Sequence, residues 1–379
     1  MIKRTKKISM CFLMIVFFLS LLSIQAFAEN TSETSAANAE TLANEIYAEL
    51  DDDAAKLLSE FGLSQFDMDS VITLSPRKII DALLDILKGA WRTPFYAALT
   101  LCAVAVLGAF ASAFYAAESK IQTAFDFCAV LLVTYLMAQS VTDLLGTAFS
   151  AVKLCSDFML TYIPGFTGII AMSGKPLTSA AYSSVMVAVS NAYAQIGVQY
   201  FQPILLAYLF LGVFSSLQSR YSFQPLMQCA KKAIYIVFGF AATVFSGLLT
   251  VKGLLASGGD SVTVKGVKML VGSAVPIVGG ALSEGVTSVL ASASLIKNTV
   301  GVFGIFGIVC MVLPSFTALL LWYFAFTFGA AVAQALEQDR VASILQSMAG
   351  VLSIANAYLL FTAYVFMAST GIILQFRGN

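Results

Sequence analysis

The 379-residue chain contains no histidine. That removes the commonest general base and the commonest neutral metal ligand at once. Charge is scarce as well: Asp, Glu, Lys and Arg make up 11% of residues, against about 25% in soluble domains. Cys11, Cys102, Cys128, Cys155, Cys229 and Cys310 stand singly, mostly inside apolar runs. With no C-x-x-C pair and no metal-ligand spacing, they read as packing residues and not as a disulfide framework. No Walker-type phosphate loop is present, so any energy source has to come from a partner. No basic stripe sits on a polar domain, which excludes a nucleic-acid binder.

What the chain has is apolar sequence, at 59% hydrophobic residues and a mean hydropathy of +0.86. The expectation is an all-α, polytopic helical membrane protein. A net charge of zero hides three compartments. Residues 1–10 carry Lys3, Arg4, Lys6 and Lys7; residues 29–92 hold thirteen acidic residues against five basic; from Thr93 onward there are twelve Lys/Arg against eight Asp/Glu.

Residues 1–28 read as a secretory signal peptide: a basic start, the apolar run 10–22, then Ala26-Phe27-Ala28 as a small-x-small cleavage site. Residues 29–93 form an acidic extracytoplasmic segment. Within it, 41–61 has helical periodicity through Leu42, Ile46, Leu50, Leu57, Leu58 and Phe61. The cluster Asp51-Asp52-Asp53 lacks the Gly and distal Glu of an EF-hand loop and reads as a solvated face. Ser75 as N-cap and Pro76 as first residue open an interfacial amphipathic helix over 76–92, closed by Trp91-Arg92. Residues 94–379 are the transmembrane domain.

Windows of about twenty apolar residues give six spans: 95–117, 125–149, 180–217, 233–255, 299–328 and 351–374. Pro203 and Pro314 interrupt the two longest, and splitting both would give eight. Lys and Arg fall on both sides of the resulting map, so the positive-inside rule does not fix its orientation.

The stretch 265–284 is too broken for an ordinary span. Pro276 removes a backbone donor, Gly279 and Gly280 follow, and Glu284 is a carboxylate at membrane depth. Irregular backbone in lipid is tolerated where protein or a water-filled cavity satisfies its polar groups. The other reading is an amphipathic helix on the membrane surface, with Lys265 and Lys268 among the headgroups. A shift of 112 residues lays Lys153, Pro164 and Gly168 on Lys265, Pro276 and Gly280. This suggests repeat units 125–217 and 233–329, each with a Pro-Gly-broken segment, the plan of many transport folds. Chance coincidence of abundant Gly and Ala is the competing explanation.

The intramembrane charges are Asp126, Asp143, Asp157, Glu284 and Lys297. Asp143 and Asp157 are expected to pair locally with Lys153, and Glu284 with Lys297 across a turn. Gly301, Gly304 and Gly307 make a small-residue face for close helix approach, within one chain or in a homo-oligomer. No protease motif surrounds the Ser, Lys and Asp residues.

Two segments carry a family resemblance: TYIPGFTGIIAMSGKPLTSAAYSSV (161–185) and VKGVKMLVGSAVPIVGGALSEGVTSVLASASLIKNTVGVFG (264–304). They are similar to the stage III sporulation protein AE family, as is the whole plan of signal, acidic segment, Pro-started helix and spans. The resemblance implies a multi-pass protein of the mother-cell membrane surrounding the forespore. It also implies a place in the stage III A complex, with ring-forming and ATPase components and a forespore membrane protein across the intermembrane space. The implied assembly is a trans-envelope channel needed for forespore development. No catalytic residue, cofactor or metal site is implied, and none is assigned. A stand-alone transporter, with its site between the two broken segments, is the alternative.

Overall fold

The computed structural model describes residues 56, 59, 76–114, 119–217, 223–274 and 279–375. Among these residues the backbone is helical apart from short turns, with no strand. The expected amphipathic helix is α1 (Pro76–Ala90). Its polar side carries an exposed Lys88–Asp85 pair at 2.8 Å. Trp91 follows, packs on Phe95 with ring centroids 5.5 Å apart, and the chain enters α2 (Arg92–Phe114).

The remaining helices are α3 (Ser119–Met172), α4 (Pro176–Ile196), a π turn (Gly197–Phe201), α5 (Gln202–Leu217), α6 (Gln224–Ala274), α7 (Gly279–Ala335) and α8 (Asp339–Gln375). Among the described residues, six helices are long and apolar enough to cross a membrane. The count matches the sequence reading, but the lengths do not. The 54 residues of α3 rise about 80 Å, against a hydrocarbon core of about 30 Å. Hydropathy windows locate the lipid-embedded part of a helix, and a helix packed against neighbours has no reason to end there.

Three expectations about breaks need correction. Pro164 lies inside α3 and Pro314 inside α7; neither interrupts its helix. Inward packing overrides the lost backbone bond at Pro164. Phe158, Tyr162 and Phe166 form a stacked row at 5.7 and 5.0 Å, and Tyr162, Ile163 and Phe166 are fully buried. Dispersion contacts of that density hold the helical register. Pro203 does mark an irregularity, as a π turn immediately before it and not as a loop between two spans. A proline ring collides with the carbonyl four residues earlier, and a wider turn relieves the collision.

α7 and α8 form the central antiparallel hairpin, turned at Leu336–Gln338 with Glu337 at φ 59°. They are the most enclosed spans, whereas α6 is nearly bare. α8 is tied to its surroundings by hydroxyl bonds at successive levels. Gln224 Nε2 donates to Ser343 Oγ at 2.8 Å, Tyr235 shares a hydrogen with Ser353 at 2.6 Å, and Ser246 with Tyr364 at 2.9 Å. Such bonds hold helices together where apolar burial alone discriminates little between helix and lipid. The five described cysteines are free: Cys155 and Cys310 pack inside, and Cys128 and Cys229 are exposed.

Candidate functional site

The most constrained polar structure lies where α3 turns into α4. Gly174 has φ +81°, a left-handed conformation open to glycine. A methyl group there would also press on Leu290 at 3.0 Å and Val264 at 3.1 Å. The turn therefore brings α3, α4, α6 and α7 together. Ser173 N donates to Ile169 O at 3.0 Å and Lys175 N to Ile170 O at 3.3 Å, closing the end of α3.

The start of α4 has no cap of its own. Lys175 holds the N-cap position without a side-chain capping bond, and Pro176 has no backbone donor. The next donors are satisfied from another helix. Asp260 of α6 accepts from Leu177 N at 2.8 Å, Thr178 N at 2.9 Å and Thr178 Oγ1 at 2.6 Å. Asp260 is only 2% exposed. A buried carboxylate is well placed against the positive end of a helix, where charge-assisted bonds and the dipole both favour it. Lys175 is buried at this turn, and Lys297 of α7 is buried as well. Burial lowers the Lys175 ammonium pKa, and the Asp260 carboxylate opposes that shift.

Close below lies the small-residue face. Side-chain bulk at Gly304 would meet Tyr162 Cζ at 2.6 Å, and at Gly301 it would meet Leu374 Cδ2 at 2.5 Å. Both glycines are buried within this one chain. The Tyr162 hydroxyl donates to Val300 O at 3.3 Å. A further joint surrounds Tyr358, which packs on Phe149, Phe201 and Phe238 at 5.9, 4.6 and 5.9 Å. Its hydroxyl donates to Tyr193 O at 3.3 Å, beside the π turn.

The remaining candidates scatter. Pro164 and Gly168 are exposed, and a side chain at Gly168 would meet nothing within 4 Å. Pro276 and the side chain of Glu284 lie outside the described residues; Gly279, Gly280 and Glu284 belong by their backbone to the first turns of α7. The expected Glu284–Lys297 pair rests on a side chain outside the described residues. Both lie on one continuous helix, where thirteen residues rise about 20 Å. Asp143, Lys153 and Asp157 are exposed and make no ion pair with one another. Asp126 pairs instead with Arg340 at 3.6 Å. Asp260 escaped notice because its partners lie 82 and 83 residues away in sequence. The signal was present in two halves: a lone aspartate in an apolar helix, and a Gly-Lys-Pro helix start without a capping residue.

The fold and this core define a multi-pass helical membrane protein whose polar groups tie helices together. The family model described as stage III sporulation protein AE matches residues 66–376. The chain belongs to that family. It is similar to the stage III sporulation protein AE of Bacillus subtilis (strain 168), with 23% identity over 232 residues. The matched part is 61% of this chain and 58% of that protein, so the chain spans less than two thirds of its relative's length. No solved structure matches.

Proposed function

We propose that the chain is a membrane subunit of a channel- or secretion-like sporulation apparatus, seated in the mother-cell membrane facing the forespore and required for forespore development. The observation that carries this reading is the family match over residues 66–376, which takes in every one of the helices α1–α8. Its partners are the ring-forming and ATPase components of the stage III A complex and a forespore membrane protein across the intermembrane space. The chain acts as a structural subunit and not as an enzyme. Supporting that role, its buried polar side chains bond to helix ends and neighbouring helices, as Asp260 does at α4.

The alternative is a stand-alone transporter with its site between the two Pro-Gly segments, of which Pro164 and Gly168 are exposed on α3. Affinity purification of the tagged chain from sporulating cells tests the proposal. Recovery of a ring component and an ATPase is the expected outcome, with forespore development arrested on deletion. A chain that purifies alone, from cells that complete sporulation without it, would overturn the reading.

A further inference from the structure

We propose that the far end of the bundle, where α3, α4, α6 and α7 meet, stands outside the bilayer and docks this chain's own acidic segment, residues 41–61. The first argument is positional. α2 runs alongside the last part of α7, since bulk at Gly329 would meet Leu101 at 3.3 Å and bulk at Gly108 would meet Gln338 Oε1 at 2.9 Å. The two helices are therefore parallel, and Arg92 points toward the Gly174 turn and away from the Leu336–Gln338 turn. Everything before α2 leaves the membrane on the side of the Gly174 end.

The second argument is where exposed charge begins. Low on α3 the large exposed side chains are apolar: Phe125, Phe127, Leu131, Leu132, Tyr135 and Leu136. Higher up, Asp143, Lys153 and Asp157 are exposed on α3, and Lys252 and Lys265 on α6. Exposed charge is costly in hydrocarbon. From Phe125 to Asp143 the helix rises about 27 Å, close to a hydrocarbon core of about 30 Å. By Lys153 it has risen about 42 Å, the depth of a bilayer with both headgroup layers at about 40–45 Å. From Lys153 to Met172 it rises about 28 Å more. That end carries Met172, Leu177, Val262, Met269 and Val289, each more than half exposed. Exposed apolar side chains beyond the bilayer, in a cluster, mark an interaction surface.

The third argument identifies the occupant. Among the described residues, the exposed charges around these apolar side chains are Lys153, Lys252, Lys265 and Asp157. Residues 41–61 hold six acidic residues against Lys56, with apolar positions at helical spacing. Lys56 and Ser59 are helical, Ser59 Oγ donating to Lys56 O at 2.6 Å. The fifteen residues from Phe61 to Pro76 can span about 50 Å, more than the height of the bundle's end above the bilayer. Sign, periodicity, side and reach all agree.

The test uses the full chain in native membranes with its own cysteines replaced, in the absence of other apparatus proteins, so that it stands apart from the functional reading. Asp52→Cys with Val262→Cys should form an intramolecular disulfide on oxidation; Asp52→Cys with Leu132→Cys should not. Lys252→Glu with Lys265→Glu should slow cross-linking about fivefold, as expected for two surface charge pairs. Asp51→Lys with Asp53→Lys should restore the rate in that background. Disulfides formed only between chains would overturn the proposal in favour of a second copy. Val262→Cys shielded from water-soluble maleimide but reached by a lipid-confined probe would overturn it in favour of lipid. Equal cross-linking to Val262 and Leu132, or indifference to charge reversal, would remove the specific contact.

Discussion

Gly304 and Gly168 look alike in sequence, both small residues in apolar surroundings, yet the fold treats them oppositely. Gly304 has Tyr162 against it, whereas Gly168 opens to free space. Gly304→Leu should destabilise the chain itself by about 1–3 kcal/mol through overpacking. Gly168→Leu should leave thermal unfolding in detergent nearly unchanged. Equal melting shifts would contradict the packing described. Asp260 makes a second residue-scale test. Asp260→Ala orphans the Leu177 and Thr178 amides, and a lost cap plus a buried unpaired donor costs about 2–4 kcal/mol. Asp260→Asn keeps one acceptor oxygen and should recover part of that stability in the same melting measurement. The glycine face was legible from three-residue spacing alone. The cap was not, because a carboxylate's partner across 82 residues leaves no local pattern.

At the scale of elements, the composition announced helices and nearly all their apolar centres. It misread where they stop. Proline and glycine predict breaks, but Pro164 and Pro314 are carried through by packing that a single sequence does not display. Pro203, by contrast, left its mark as the π turn. A methyl at Gly197 would meet the Tyr358 hydroxyl at 3.0 Å, while Gly247 has open space. Gly197→Ala should therefore lower the melting temperature. Gly247→Ala should raise it slightly, since alanine exceeds glycine in helices by about 0.5–1 kcal/mol. A shift in the same direction at both positions would argue against the π turn as a fitted joint. The proposed duplication of units 125–217 and 233–329 meets the structure in its first half alone. Pro164 sits within a helix, and its counterpart Pro276 falls in a segment, 275–278, outside the described residues.

At the scale of the molecule, six membrane-capable helices among the described residues agree with the expected number. The proposed topography adds a measurable map. A cysteine at Lys265 should react with a membrane-impermeant reagent applied outside the cell, and one at Leu132 should not. Mass spectrometry of the purified protein should find Glu29 as its first residue if the signal is removed after Ala28. An intact start at Met1 would withdraw the side assignment while leaving the relative placement of α1 and the bundle's far end intact. That relative placement was hidden in the sequence, since it follows from which helix lies alongside which.

The excess length of α3 has a mechanical consequence. A rigid post rising about 28 Å beyond the headgroups acts as a fender: no second flat membrane can come closer on that side wherever the protein is abundant. Anything reaching across from an opposing membrane meets the crown of the post first, and the lipid surface at its foot only afterward. Shortening α3, α4, α6 and α7 together by two turns each should let facing membranes approach by about 11 Å. Cryo-electron tomography of apposed membranes would read that spacing directly, and an unchanged gap would mean that some other body keeps them apart.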